Sequence, residues 1–242
     1  RLRDGHLLLR NQEKMPISCL TAASVTILEK MNNRDYKGFT EGECYHVYNR
    51  GVGKMDIFLC EEDFNFFISR LRENLFPSIS MNKSAGGYRR ELLPFDSYSL
   101  IAYCLMPNHF HLLIRQNKEL PISKLLSKIG TSYSKYFNKK YIRVGSLFQD
   151  QFKAVHIENN EQLLWVTTYI HQNPKVAKLV STLDDYPFSS YLDYVGMRKG
   201  TLCSKELILN QFNNETEHYR SCVENSTEEA VFTDLRIDDE KH

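Results

Sequence analysis

No apolar run in this 242-residue chain is long enough to cross a bilayer, and the short run Leu20 to Leu28 lacks signal-peptide flanks. The six cysteines (Cys19, Cys44, Cys60, Cys104, Cys203 and Cys222) include no CxxC pair. Their scatter argues against a thiolate zinc site or a disulfide framework and for reduced thiols in the cytoplasm. There is no internal repeat, and no strong excess of one charge: the formal net charge is +1. That balance hides an asymmetry. From Lys205 onward there are 4 basic and 10 acidic residues, net −6, which leaves 27 basic and 20 acidic, net +7, in the preceding 204. The body can attract a polyanion, whereas the tail would repel one or shield the basic surface.

With 42% hydrophobic and 25% charged residues, the composition is that of a soluble globular protein able to bury one full core. Residues 1–40 read as an N-terminal extension, flexible or non-native, because Met31 opens a polar segment just before the first strand; residues 1–30 are expected to be dispensable. Residues 41–196 are expected to form the domain, with 77–96 a surface insertion marked by Pro77, Gly86, Gly87 and Pro94. Residues 197–242 read as an acidic extension, partly helical and disordered at its end.

Within the domain, Cys44 to Arg50 reads as a strand closed by Gly51. Glu61 to Phe76 reads as a helix with Phe64, Phe67, Ile68, Leu71 and Leu75 on one face. Strands Ser97–Leu105 and His109–Arg115 are joined at Met106-Pro107-Asn108, a sequence suited to tight reversal. Ser123 to Lys140 carries an apolar stripe of Leu125, Ile129, Tyr133, Tyr136 and Phe137. Gly145 to Ile157 has strand character. A helix capped by Asn159 or Asn160 follows and is expected to end or kink at Asn173, before Pro174. This order implies an α+β fold: a ferredoxin-like antiparallel sheet with helices on one face, plus a C-terminal helix carrying Tyr169.

Two features carry chemistry. His109 and His111 flank Phe110 on a strand, so the imidazoles share one face and Phe110 takes the other. Tyr169 and Asn173 lie one turn apart on a helix. Of the 14 tyrosines, only Tyr45 and Tyr169 have Asn or Gln four positions later, and Tyr45 lies in a strand, where such a pair is too far apart to share one ion. Taken singly, each feature also has a bland reading: a structural histidine pair, an aromatic filler, a helix stop. Together they offer two nitrogen ligands, an amide oxygen and a phenol. A basic face of Lys124, Lys128, Lys135 and Lys139, with Lys140 and Arg143 beyond, could follow a phosphate backbone or simply be solvated. Arg50 and His46 are candidates to contact DNA or the site, or to be structural.

The segments Tyr45 to Gly51, Ala102 to Leu113 and Tyr169 to Ala177 resemble the REP-associated tyrosine transposases, single-tyrosine HUH endonucleases of insertion-sequence-200-like elements. Tyr136-Phe137-Asn138, Gly145 to Gln149 and Tyr186 to Tyr191 match too, so the resemblance spans residues 43–196. It implies that His109 and His111 bind a divalent ion, Mg²⁺ or Mn²⁺, that Asn173 completes its shell, and that Tyr169 is the nucleophile. It also implies cleavage and strand transfer of single-stranded DNA near palindromic hairpins through a 5′-phosphotyrosine, by a monomer or homodimer. The rival expectations are a catalytically silent hairpin-binding protein and a metal phosphodiesterase that uses water.

Overall fold

The computed structural model describes residues 38–77 and 92–226. The expectations for residues 1–30, for most of the insertion and for the end of the acidic tail fall outside the described residues.

Four strands form one antiparallel sheet: β1 (Cys44–Arg50), β2 (Tyr98–Met106), β3 (His109–Gln116) and β4 (Lys153–Ile157), in the order β2-β3-β1-β4. Helix α1 (Glu61–Leu75) connects β1 to β2, and α2 (Ile122–Lys140) connects β3 to β4. Both crossovers skip one strand, the split βαβ pattern of a ferredoxin-like fold.

Alternation decides what each sheet face carries. Tyr45 and Val47 of β1 stand beside Ile114 and Leu112 of β3 and bury against α1 and α2. There Phe64, Phe67 and Leu71 meet Leu125, Ile129, Tyr133 and Phe137, the expected stripes, with Ile68 and Tyr136 only partly buried. The intervening residues His46, Tyr48, His111 and Leu113 therefore face the other side. That side is covered by α3 (Asn160–Val176) and three short helices: α4 (Tyr191–Tyr194), α5 (Glu206–Leu209) and α6 (Thr216–Asn225).

Local chemistry sets the helix starts. Asp63 accepts from the backbone N–H of Cys60 and the Cys60 side chain faces the Asp63 N–H, a reciprocal cap at the start of α1. Asn159 caps α3 by accepting from the Gln162 N–H at 2.8 Å. Two boundaries differ from those expected. Helix α3 runs past Asn173 and through Pro174 to Val176, because the Ala177 N–H bonds to the Asn173 carbonyl and the segment is buried among neighbours. Only Lys153–Ile157 of the expected strand 145–157 is one: Gly145 sits at φ 98°, and the following residues loop out before rejoining the edge.

Every residue of α3 from Gln162 to Pro174 is buried, so the helix is enclosed on all sides. His171 explains the outer contact: its Nε2 pairs with Ser190 Oγ at 2.7 Å and its Nδ1 with the Tyr219 hydroxyl of α6 at 2.6 Å. Tyr186 and Tyr194 donate to the carbonyls of Leu105 and Ile101 in β2, at 2.6 and 2.8 Å. No helix among the described residues is long and apolar enough to cross a membrane.

Candidate active site

β3 presents His109 and His111 to the α3 side, as alternation requires, with Phe110 in the opposite core. The two imidazoles are perpendicular, with ring centres 4.9 Å apart. Tyr169 reaches down from α3, its ring edge-to-face with His111 at 5.4 Å and with His46 at 5.8 Å. Asn173, one turn on, donates from Nδ2 to the Tyr169 carbonyl at 3.0 Å, which leaves Oδ1 as the amide's remaining acceptor.

Burial sets the electrostatics. His111 is 1% exposed, Tyr169 1% and Asn173 0%, while His109 at the strand's start is partly exposed. Desolvation holds His111 well below the ordinary imidazole range, with smaller contributions from the charges of His109, His46 and Arg50. Burial also lowers His46, to about 3. Both rings are therefore neutral at neutral pH, the form in which imidazole donates a lone pair to a metal.

The residues suit a cation. His111 Nε2 and Asn173 Oδ1 are buried and have no hydrogen-bond partner among the described residues. Such orphans are rare unless something else binds there. His109 Nδ1 pairs with Asn108 Oδ1 at 2.5 Å; the oxygen only accepts, so the proton lies on Nδ1 and the lone pair on Nε2. A nitrogen–metal bond of about 2.1 Å puts a ring centre roughly 3.2 Å from the ion, so two ligating rings at about 90–110° stand roughly 4.5–5.2 Å apart. The observed separation of 4.9 Å fits. No group of three His, Cys, Asp or Glu is poised for a metal among the described residues, so the site rests on two imidazoles and an amide.

Two contributors escaped the sequence reading. Trp165 stacks on Tyr169 at 5.6 Å from one turn earlier in α3, and Tyr48 packs against His46 and His111 at 5.2 and 5.8 Å. Their signals were the i, i+4 spacing on α3 and the period of two along β1.

Residues 66–173 match the protein family described as "Transposase IS200 like". That span of the chain is similar to an IS200-like transposase domain. The matched span takes in His109, His111, Tyr169 and Asn173. A protein of Haemophilus influenzae named as a REP-associated tyrosine transposase is 29% identical over 133 residues, covering 50% of this chain and 73% of the relative. A solved structure of a REP-associated tyrosine transposase bound to a REP hairpin has a TM-score of 0.50 at 16% identity, covering 68% of this chain and 86% of that one. That likeness establishes the shared fold.

Around this site the basic candidates divide. Arg50 pairs with His109 in the strand register, and its charge is felt at His111. Lys140 is held by Asp63 and Glu62, each at 2.8 Å, and Arg143 donates to the Ser146 carbonyl at 2.9 Å. Lys124, Lys135 and Lys139 are exposed on α2, and Lys128 is partly so. Lys135 lines an open groove of about 650 Å³ with Asn49, Thr131, Ser134, Asn138 and Gln149. Asn49 stands opposite Phe110, so this groove lies on the sheet face away from Tyr169.

Proposed function

We propose that this chain cleaves single-stranded DNA beside a hairpin and rejoins it to another end, with Tyr169 as nucleophile. The observation that carries the reading is the convergence on Tyr169: its ring lies 5.4 Å from that of His111 and one turn from Asn173, and both neighbours hold a buried nitrogen or oxygen with no hydrogen-bond partner among the described residues. The name of the Haemophilus influenzae relative and the hairpin bound by the solved neighbour support the same substrate class.

A divalent cation, Mg²⁺ or Mn²⁺, held by His109, His111 and Asn173 would supply positive charge where it builds up on the phosphoryl oxygens. The chain's own part is positioning. Trp165 and His111 fix the Tyr169 ring between them, and Arg50 adds a fixed positive charge beside the histidines. The phenolic oxygen bonds to phosphorus as the bond from phosphorus to the 3′ oxygen breaks; the phenol loses a proton and the 3′ oxygen gains one. The product is a 5′-phosphotyrosine and a 3′-OH. The phosphodiester count is unchanged, so a second 3′-OH reverses the step without ATP. Arg50, Lys124, Lys128, Lys135, Lys139, Lys140 and Arg143 are the residues proposed to contact the DNA backbone.

At 1% exposure the phenol sits under α3, so DNA reaches it only if α3 lifts from the sheet or a second copy contributes its own tyrosine. The same burial is what favours a second reading, a hairpin-binding protein that does not cut. A labelled single-stranded oligonucleotide containing a hairpin separates the two. The first reading expects a covalent adduct with the wild type, none with Tyr169→Phe, and hairpin binding by both. An undiminished adduct in Tyr169→Phe would remove Tyr169 from the mechanism. Tight binding with no adduct from the wild type in Mg²⁺ or Mn²⁺ would favour the second.

A further inference from the structure

The neighbour of His111 on β1 is another buried imidazole. His46 Nε2 lies 3.0 Å from His111 Nδ1, and both rings are 1% exposed. The outer nitrogens, His46 Nδ1 and His111 Nε2, have no hydrogen-bond partner among the described residues. Two neutral rings carry two N–H groups between them, and the 3.0 Å bridge takes one. The other N–H must sit on one of the outer nitrogens. If His46 donates across the bridge, that N–H falls on His111 Nε2, which then has no lone pair and faces no acceptor. If His111 donates, the outer N–H falls on His46 Nδ1, and His111 Nε2 keeps its lone pair for a ligand, in a ring centred 5.4 Å from that of Tyr169 and 4.9 Å from that of His109.

We propose that His46 is the positioning residue for His111: its Nε2 accepts the His111 Nδ1–H, which fixes the tautomer and the ring angle that let His111 Nε2 ligate a divalent cation. This role rests on the cation site proposed above. A hydrogen bond to the far nitrogen of a ligating histidine orients the ring and raises its basicity, and its loss typically weakens metal affinity 10- to 100-fold. A core histidine kept only for packing would make no such difference. Tyr48 packs on both rings at 5.2 and 5.8 Å, so the pair is held from the side as well.

The test is Mn²⁺ titration of the full chain, followed by electron paramagnetic resonance, for the wild type, His46→Gln and His46→Leu. Thermal unfolding serves as the check on folding. Gln places an acceptor oxygen near the position of Nε2; Leu fills the space without one. The expected result is near-wild-type Mn²⁺ affinity for His46→Gln and a loss of about 10- to 100-fold for His46→Leu, with both folded. Equal affinity of His46→Leu and wild type overturns the proposal, as does an equal loss in both variants. A ¹⁵N spectrum of the Mg²⁺-loaded wild type decides the tautomer without relying on any variant: it should show His111 protonated at Nδ1, and protonation at Nε2 overturns the role. A wild type that takes up no Mn²⁺ at all overturns the cation site itself, a result distinct from a site that binds equally well without His46.

Discussion

At the residue scale, the proposed cation site makes Asn173 a point where stability and ligand should be coupled. Its Oδ1 lies in the interior with no hydrogen-bond donor among the described residues, and its Nδ2 is used on the Tyr169 carbonyl. Replacing it with Asp puts a buried carboxylate where no donor stands among the described residues and where the proposed cation would compensate it. Asn173→Asp should destabilise the metal-free protein by roughly 3 kcal/mol. Saturating Mn²⁺ at about 100 times its dissociation constant should restore about 2.7 kcal/mol. Paired thermal melts with and without Mn²⁺ check this; a variant whose melting ignores Mn²⁺ would show that Asn173 does not face the cation. On the outer side of α3, Tyr219→Phe removes the hydroxyl that pairs with His171 Nδ1 at 2.6 Å. The variant should lose about 1–2 kcal/mol in urea unfolding, because the buried ring nitrogen then has no partner.

At the scale of elements, the turn after β1 holds the site's first strand against the β2–β3 reversal. The Gly51 N–H donates to the Asn108 carbonyl at 2.8 Å, and a Cβ at Gly51 would collide with the Met55 carbonyl oxygen. Backbone cannot move aside as a flexible side chain can. Gly51→Ala should therefore cost about 1–3 kcal/mol, measured by denaturant midpoint. Helix α2 makes a different prediction, about binding. If Lys135 and Lys139 contact phosphates, changing both to Gln should flatten the log affinity against log salt slope by roughly 1.4–1.8. An unchanged slope would return that face to plain solvation. The helices themselves were legible from apolar spacing: Phe64, Phe67 and Leu71 of α1 and Leu125, Ile129 and Tyr133 of α2 are all buried as their periodicity requires. Pro174 misled because its rule is local, whereas the burial that carries α3 on to Val176 comes from the sheet and from α6.

For the molecule as a whole, neutral buried imidazoles couple folding to pH. Burial lowers His171 from 6.5 to about 3. The unfolded chain therefore binds more protons between those values. Stability from this residue is complete above about pH 6.5 and is lost as pH falls towards 3, at about 1.4 kcal/mol per pH unit once the unfolded histidine is protonated. His46, lowered for the same reason, acts in the same direction. Urea midpoints at pH 7.5 and 5 should differ accordingly, and His171→Gln should reduce the difference. A midpoint that does not fall on acidification would mean that these rings are protonated in the native state.

Local pattern was enough to place the first three strands and the main helices, put His109 and His111 on one face, and set Tyr169 one turn from Asn173, because periods of 2 and 3.6 are properties of the backbone itself. It could not set distances between segments about sixty residues apart. The sheet order that lays β1 beside β3, and so His46 against His111, depends on strand pairing across the whole domain. The same holds for the burial of Tyr169: α3 is enclosed because residues 186–226 fold back over it, burying Tyr219 and Val223 that no local periodicity tied to the site. Burial is a sum over everything that packs around a side chain, and only the assembled tertiary structure supplies that sum.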